Sequence, residues 1–336
     1  MHTRREQVLK SVVQTYVVSA MPVASEALAA RYSLGVSSAT IRNDLAWLEE
    51  AGYLVRPHHS AGVVPSDKGY RFYVESLGAD LAPSEEERVR VRHQFHQVER
   101  EMEAWGRLAA AILADMARNL ALATLPKARR SRFQHLELVF VQDSVALLVL
   151  VLNGTRVRQQ LLHLEKPQGK PELHVLSEGL NLGFAGLTAS EILAAVATWP
   201  LVGEQVRHAV VSLMEDEDAR EFERPYLEGF GLILGQPEFA QGAEAARVVA
   251  AVEGGVLRGF ILRALDQGEV QVIIGSETGE RALEECSLVL SPYGESGGLR
   301  GALAVVGPVR MNYDRAIASV RLVSQMLGEL VYELKR

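Results

Sequence analysis

Apolar residues recur at helical spacing over the first fifty positions. Val8, Val12, Val13, Tyr16 and Val17 line one face of residues 4–19, a period that predicts an amphipathic helix, and Pro22 closes it. Leu28 and Tyr32 share one side of a second, short helix over 25–32, before a turn at Ser33, Leu34 and Gly35. Ser37 or Ser38 offers a hydroxyl N-cap for a third helix. In that helix Ile41, Leu45 and Leu48 form a stripe, and Gly52 suits the left-handed residue after its end. A short apolar strand (Tyr53, Leu54, Val55), a turn-rich stretch over 57–62 and a second short strand (Val63, Val64) come next. The predicted order is helix, helix, helix, hairpin.

The segment 78–83 reads as a linker, and Ser84 with Glu87 forms a capping box for the next helix. Residues 84–122 are helical in pattern, as one long helix or two, with Phe95, Val98, Met102, Trp105, Ile112, Met116 and Leu120 stepping at threes and fours. Strand-like runs at 136–142, 145–152 and 156–164 predict an antiparallel meander, the last pair joined by the hairpin signal Asn153-Gly154. From 167 to 239 the pattern changes to helices interrupted by glycines. Strand patterns return at 270–274 and 302–306, and an amphipathic helix over 313–334 closes the chain. A sheet with parts on both sides of a helical stretch predicts an insertion. The fold class expected is multidomain α+β, without internal repeats.

The 336 residues suffice for two or three domains. With 48% hydrophobic and 23% charged residues, neither wholesale disorder nor a fibrous repeat fits. The longest apolar run, 145–152, is too short to span a bilayer, and no apolar signal core lies behind the N-terminal charges. A single cysteine, Cys286, forms no internal disulfide, so a cytoplasmic location is expected. The net charge is −7, divided as +2 over residues 1–74 and −9 over the rest. A mildly basic head on an acidic body points to a head that meets phosphate.

Three helices and a two-stranded wing make a winged helix-turn-helix, in which the third helix enters the major groove. With Ile41, Leu45 and Leu48 turned inward, a rotation of 100° per residue directs Ala39, Asn43 and Ala46 outward, with Thr40 and Arg42 on the flanks, and Ser38 at the start of the helix is counted among the expected DNA contacts. Small alanines permit close approach. Arg42 suits guanine or phosphate, and Asn43 suits adenine. Enzyme readings have little support. The loop Gly294-Glu295-Ser296-Gly297-Gly298 resembles a protease nucleophile loop only in composition, Gly229, Gly231 and Gly235 miss the dinucleotide fingerprint, and His93 with His96 lacks a third metal ligand. No catalysis, cofactor or metal is expected.

The strings PVASEALAARY, VSSATIRNDLAWLEEAGYL and HHSAGVVPSDKGYRFYV resemble the N-terminal signature of the HrcA family of heat-inducible repressors. Later blocks GQPEF, IGSE and GPVRMNY resemble that family in the same order. The resemblance implies a winged-helix domain (1–77), a helical linker (78–103), a GAF-like domain (104–166 and 240–336) and an inserted dimerisation domain (167–239). It also implies a homodimer on double-stranded operator DNA, an inverted repeat called CIRCE ahead of chaperone operons, and a chaperonin that keeps the repressor active. Where the family carries a wing arginine this chain has Val63, which leaves Arg56, His58, His59 and Lys68 as the nearest substitutes. Leu182, Phe184, Leu187, Ile192, Leu193 and Trp199 are expected to supply surface for the partner. A second reading, a metabolite held between meander and helices, conflicts with the run VALLVLVL, which has no inward polar group to orient a ligand.

Overall fold

A computed structural model describes residues 3–32, 35–58, 61–78, 81–98, 101–128, 130–153, 156–195, 199–219, 225–240, 242–295 and 298–333. Ser33 and Leu34, His59 and Ser60 of the wing, Ala79 and Asp80 of the linker, Gly154 of the hairpin, and Ser296 with Gly297 lie outside the described residues.

Helix α1 (Thr3–Ser19) buries Val8, Leu9, Val12 and Val13, and α2 (Ser25–Arg31) buries Leu28. Ser37, rather than Ser38, caps α3 (Ser38–Glu50): its hydroxyl accepts from the Thr40 backbone N–H, which satisfies one orphan donor of the first turn. Gly52 follows α3 at φ +77, a conformation that costs a side-chain-bearing residue strain. The wing strands β1 (Leu54–Val55) and β2 (Val64–Pro65) pair antiparallel, Val55 opposite Val64. Beyond the predicted elements, α4 (Asp67–Glu75) starts on the Ser66 hydroxyl, which accepts from Gly69 N–H.

The expected capping box opens α5 (Glu85–His96), with Ser84 and Glu87 bonded reciprocally, and α6 (Met102–Ala117) comes after it. The helical stretch is therefore two helices, and it stops short of residue 122. Arg118 takes the left-handed conformation at φ 55, and the fully buried β3 (Leu120–Ala123) begins after it. A short run of Leu and Ala fits a buried strand as well as a helix, so periodicity does not separate them.

Residues 126–223 with 295–300 then form a compact unit of their own. There β4 (Lys127–Ala128) pairs with residues 299–300, and β5 (Phe133–Gln142), β6 (Val145–Leu152) and β7 (Arg156–His163) make a three-stranded antiparallel meander. Helices α7 (Lys170–Phe184), α8 (Ala189–Ala194) and α9 (Leu201–Ala219) complete the unit. Leu136, Leu138, Leu148 and Leu150 of the meander share one apolar core with Leu180, Phe184, Ile192, Val206 and Met214 of the helices. This corrects the expected layout: the meander belongs to the insertion and not to the GAF-like sheet, and the insertion starts at 126 rather than 167 and ends at 223 rather than 239. The physical reason is that α7, α8 and α9 need an apolar sheet face to bury their own stripes, and the meander supplies it.

The other unit resumes with β8 (Tyr226–Glu228), α10 (Phe230–Leu234), α11 (Gly242–Glu253), α12 (Leu257–Gln267), β9 (Gln271–Ile274), β10 (Cys286–Gly294), β11 (Leu299–Pro308) and α13 (Tyr313–Glu333). The sheet order is β8-β3-β11-β10-β9, so in chain order its strands run second, first, fifth, fourth, third. This is the GAF-like antiparallel sheet, with α6 packed on β3 and β8 and α13 on β10 and α6. Every residue from Cys286 to Tyr293 is buried. Ser287, Ser291 and Pro292 interrupt the apolar run, which is why the pattern passed over β10.

The winged helix and the GAF-like sheet fall in the same unit. Arg71 of α4 pairs with Glu277 and donates to the Val272 carbonyl at 2.7 Å. Asp67 accepts from Ser276 N–H at 2.9 Å, and Tyr73 OH donates to Asp314 at 3.0 Å. Arg310 pairs with Glu238 and reaches the Val17 carbonyl of α1 at 3.0 Å. Among the described residues no helix is long and apolar enough to cross a membrane.

Candidate nucleic-acid interface

The face of α3 that the rotation rule turns outward is the face that the structure exposes. Ala39, Arg42, Asn43, Ala46 and Trp47 are exposed, Ser38 and Thr40 are half-buried at the N-terminal turn, and Ile41, Leu45 and Leu48 are buried. The helix presents small residues, one guanidinium and one carboxamide along a single side. That combination suits close approach to base edges.

The predicted cations divide into two groups. Arg42 is 71% exposed, and its Nη2 donates to Glu26 Oε1 on α2 at 2.7 Å. Arg56 is a brace: Nε and Nη2 donate to Glu49 at 3.3 and 3.1 Å, and Nη1 donates to the Ala61 carbonyl at 2.6 Å, which ties the wing turn to the end of α3. Lys68 also serves α3, donating to the Ala51 carbonyl at 2.8 Å with its ammonium 4.3 Å from the Tyr53 ring centre. His58 is exposed in the wing turn, where its carbonyl accepts from Ala61 N–H. His59 lies outside the described residues. The structure thus gathers Ala39, Thr40, Arg42 and Asn43 on one face and commits Arg56 and Lys68 to holding the domain together.

Val63 has a place in the core. It is 1% exposed, and its N–H and carbonyl exchange hydrogen bonds with Val23 at 2.9 and 2.8 Å. The neighbouring Gly62 runs so close to that segment that a Cβ there would sit 2.5 Å from the Val23 carbonyl oxygen. A position expected to be an empty wing contact is a closely packed junction between wing and α2 approach.

Sequence pattern missed the group that orients α3. Asp44 is 2% exposed and accepts from Arg4 Nε at 2.7 Å, Arg4 Nη2 at 3.1 Å and Arg5 Nε at 3.2 Å. The Arg4 guanidinium, with Arg5 beside it, holds the Asp44 carboxyl below the usual aspartate range, against the burial that acts to raise it. Arg5 also lies over the exposed Trp47 ring, 4.3 Å from its centre. One signal was available: Asp44 stands next to Leu45 and three residues after Ile41, a charge on the core side of the stripe, which requires a partner. Its partners lie forty positions away, beyond any local pattern.

Comparison with known proteins places this geometry. The profile of the HrcA protein C-terminal domain matches residues 104–317, and that of a DeoR-like helix-turn-helix domain matches residues 4–67. A heat-inducible transcription repressor HrcA of Dehalococcoides mccartyi is 38% identical over 333 residues, covering 98% of this chain and 96% of its own. That of Chloroflexus aurantiacus is 41% identical over 350 residues, covering 98% and 94%. A crystal structure of a hypothetical protein at 2.2 Å resolution shares the fold, with a TM-score of 0.58 and 22% identity over 99% of this chain and 98% of that one.

Proposed function

Because the chain belongs to the HrcA family of heat-inducible transcription repressors, we propose that it represses chaperone operons by binding a CIRCE-type inverted repeat as a homodimer in the cytoplasm. It does so without catalysis, cofactor or metal. The observation that carries this reading is the exposed face of α3, where Ala39, Arg42, Asn43 and Ala46 are turned to solvent while Ile41, Leu45 and Leu48 fix the helix to the core. Arg42 and Asn43 take the base edges. Ser38, Thr40 and His58, with Arg5 beside Trp47, take backbone phosphates.

One such helix reads only a few base pairs, so two copies related by a two-fold axis supply the affinity and specificity of an operator. The inserted unit offers the surface for the second copy. On the meander face opposite its core, Val139, Leu147 and Leu161 stand side by side across three strands, and Val157 lies opposite Val151. Val139, Val141, Val157 and Leu161 are all exposed, and although Glu137 and Gln159 flank Val149 between the two rows, apolar surface of this kind marks an interface. The helical residues expected to face the partner fit less well. Phe184 and Ile192 are buried in the unit's own core, and only Leu182 and Leu193 remain exposed.

Activity is maintained by the chaperonin: when heat-damaged proteins draw it away, folded repressor falls and the operons open. Footprinting of the full-length protein on the DNA upstream of its own gene and of chaperone operons, with and without chaperonin, tests the reading. A palindromic footprint that deepens when chaperonin is added supports it, and the absence of any footprint overturns it.

A further inference from the structure

Arg42, the only guanidinium on the exposed face of α3 among the described residues, does not stand alone. Its Nη2 donates to Glu26 Oε1 at 2.7 Å across the gap between α2 and α3. Both side chains are largely in water, at 71% and 63% exposure, so the pair contributes little to stability. Its place on the reading surface gives it another consequence. A guanidinium carries five N–H donors, and the contact with Glu26 occupies one of them. Neighbouring Arg42 NH donors retain their geometry for a bidentate partner, while the adjacent carboxylate cancels most of the net charge that a bare arginine would offer to a phosphate. The Glu26 carboxyl is itself held below the usual range by backbone and Arg42 hydrogen bonds, so it stays ionised throughout the neutral range.

Phosphate attracts chiefly by charge, at every position on any duplex. A guanine edge attracts by two acceptors in fixed directions. Pairing Arg42 with a carboxylate weakens the first attraction more than the second, and it biases a long, flexible side chain toward one orientation before DNA arrives, which lowers part of the ordering cost of reading. We infer that Glu26 is a specificity-determining positioning residue, which restrains Arg42 from indiscriminate phosphate contact and presents it to a base edge. This rests on the reading of α3 as the element that enters the groove.

The test uses the full-length chain, the duplex defined by footprinting, and a scrambled duplex of the same length and composition, with affinities measured by fluorescence anisotropy across a salt series. Glu26→Ala is expected to lower the ratio of operator to scrambled affinity about fivefold, mainly through tighter scrambled binding, and to steepen the salt dependence by about one phosphate equivalent. In an Arg42→Ala background the same change is expected to leave the ratio where Arg42→Ala alone puts it, because Glu26 acts through Arg42. Glu26→Gln, nearly isosteric, is expected to move the ratio in the same direction and serves as the control if the alanine variant melts early. If Arg42→Ala lowers the ratio while Glu26→Ala and Glu26→Gln leave it unchanged, the inference fails and the reading of α3 stands. If Arg42→Ala itself leaves the ratio unchanged, the role of this arginine in reading fails first.

Discussion

Replacing Asp44 with alanine removes the carboxylate that ties the start of α1 to the middle of α3. Breaking a buried ion pair by deleting one partner costs about 3–5 kcal/mol when the remaining charge is stranded away from water. Here the partners are not stranded: Arg4 and Arg5 are 38% and 31% exposed, and only Asp44 itself is sealed, at 2%. The penalty is therefore reduced to the loss of three charge-assisted hydrogen bonds whose donors recover some hydration, about 2 kcal/mol. In a folding unit of this size that lowers the melting temperature by roughly 4–8 °C. The folded-state pKa of Asp44 is depressed by Arg4, so this stabilisation is complete above the unfolded aspartate value of about 3.9 and is lost as pH falls through the lower folded value. Thermal melts followed by circular dichroism from pH 7 down to pH 3 measure both effects. The Asp44→Ala gap should be widest near neutrality and should narrow only in the most acid samples. A variant that melts with the parent at pH 7, or a gap that widens as the pH falls, refutes the account of Asp44 as an ionised clamp.

Alanine at Arg42 or Asn43 should cost about 1–3 kcal/mol of operator binding and less of scrambled binding, with unchanged melting, as measured by anisotropy. Arginine at Val63, a buried position, should destabilise the winged helix by about 2–4 kcal/mol without adding a phosphate equivalent to the salt slope; a stable variant with a steeper slope would show that the wing can turn that residue outward. Aspartate at Val139 and Leu161 together should give monomers in sedimentation velocity and reduce operator binding toward non-specific strength, while a persistent dimer would move the interface to another surface.

Legibility from sequence followed the range of the interaction. The α3 face was readable because Ile41, Leu45 and Leu48 fix a rotation, and rotation alone determines that Ala39, Asn43 and Ala46 point away. The meander was readable from alternation and the Asn153 turn signal, and its strands match the structure closely. What failed was assignment to a sheet. Nothing in β5, β6 or β7 states which helices will cover them, so adjacency in sequence to the strands of the GAF-like domain was mistaken for membership. The partners of Arg56 and Lys68 were hidden for a related reason: nothing in the pattern of the wing shows that Glu49 and the Ala51 and Ala61 carbonyls stand within reach of these cations.

The same limit bears on how the domains work together. The segment 78–83 reads as a linker, yet Arg71, Asp67 and Tyr73 on α4 all spend their polar groups on Glu277, Ser276 and Asp314 of the GAF-like domain. Arg310 adds a contact with the last turn of α1. Partners separated by more than 200 positions cannot be paired from pattern, but their effect is large: α4 and α1 are both bonded to the GAF-like domain, so the orientation of α3 does not rest on the linker alone. In the proposed dimer two recognition helices meet half-sites at a fixed spacing, and a winged helix swinging on a flexible linker would meet the ordering cost at each binding event. Fixing it to the GAF-like sheet removes that cost in advance. It also makes operator affinity depend on the integrity of the whole unit, so that partial unfolding around β9 or α13 weakens repression even where α3 itself is intact.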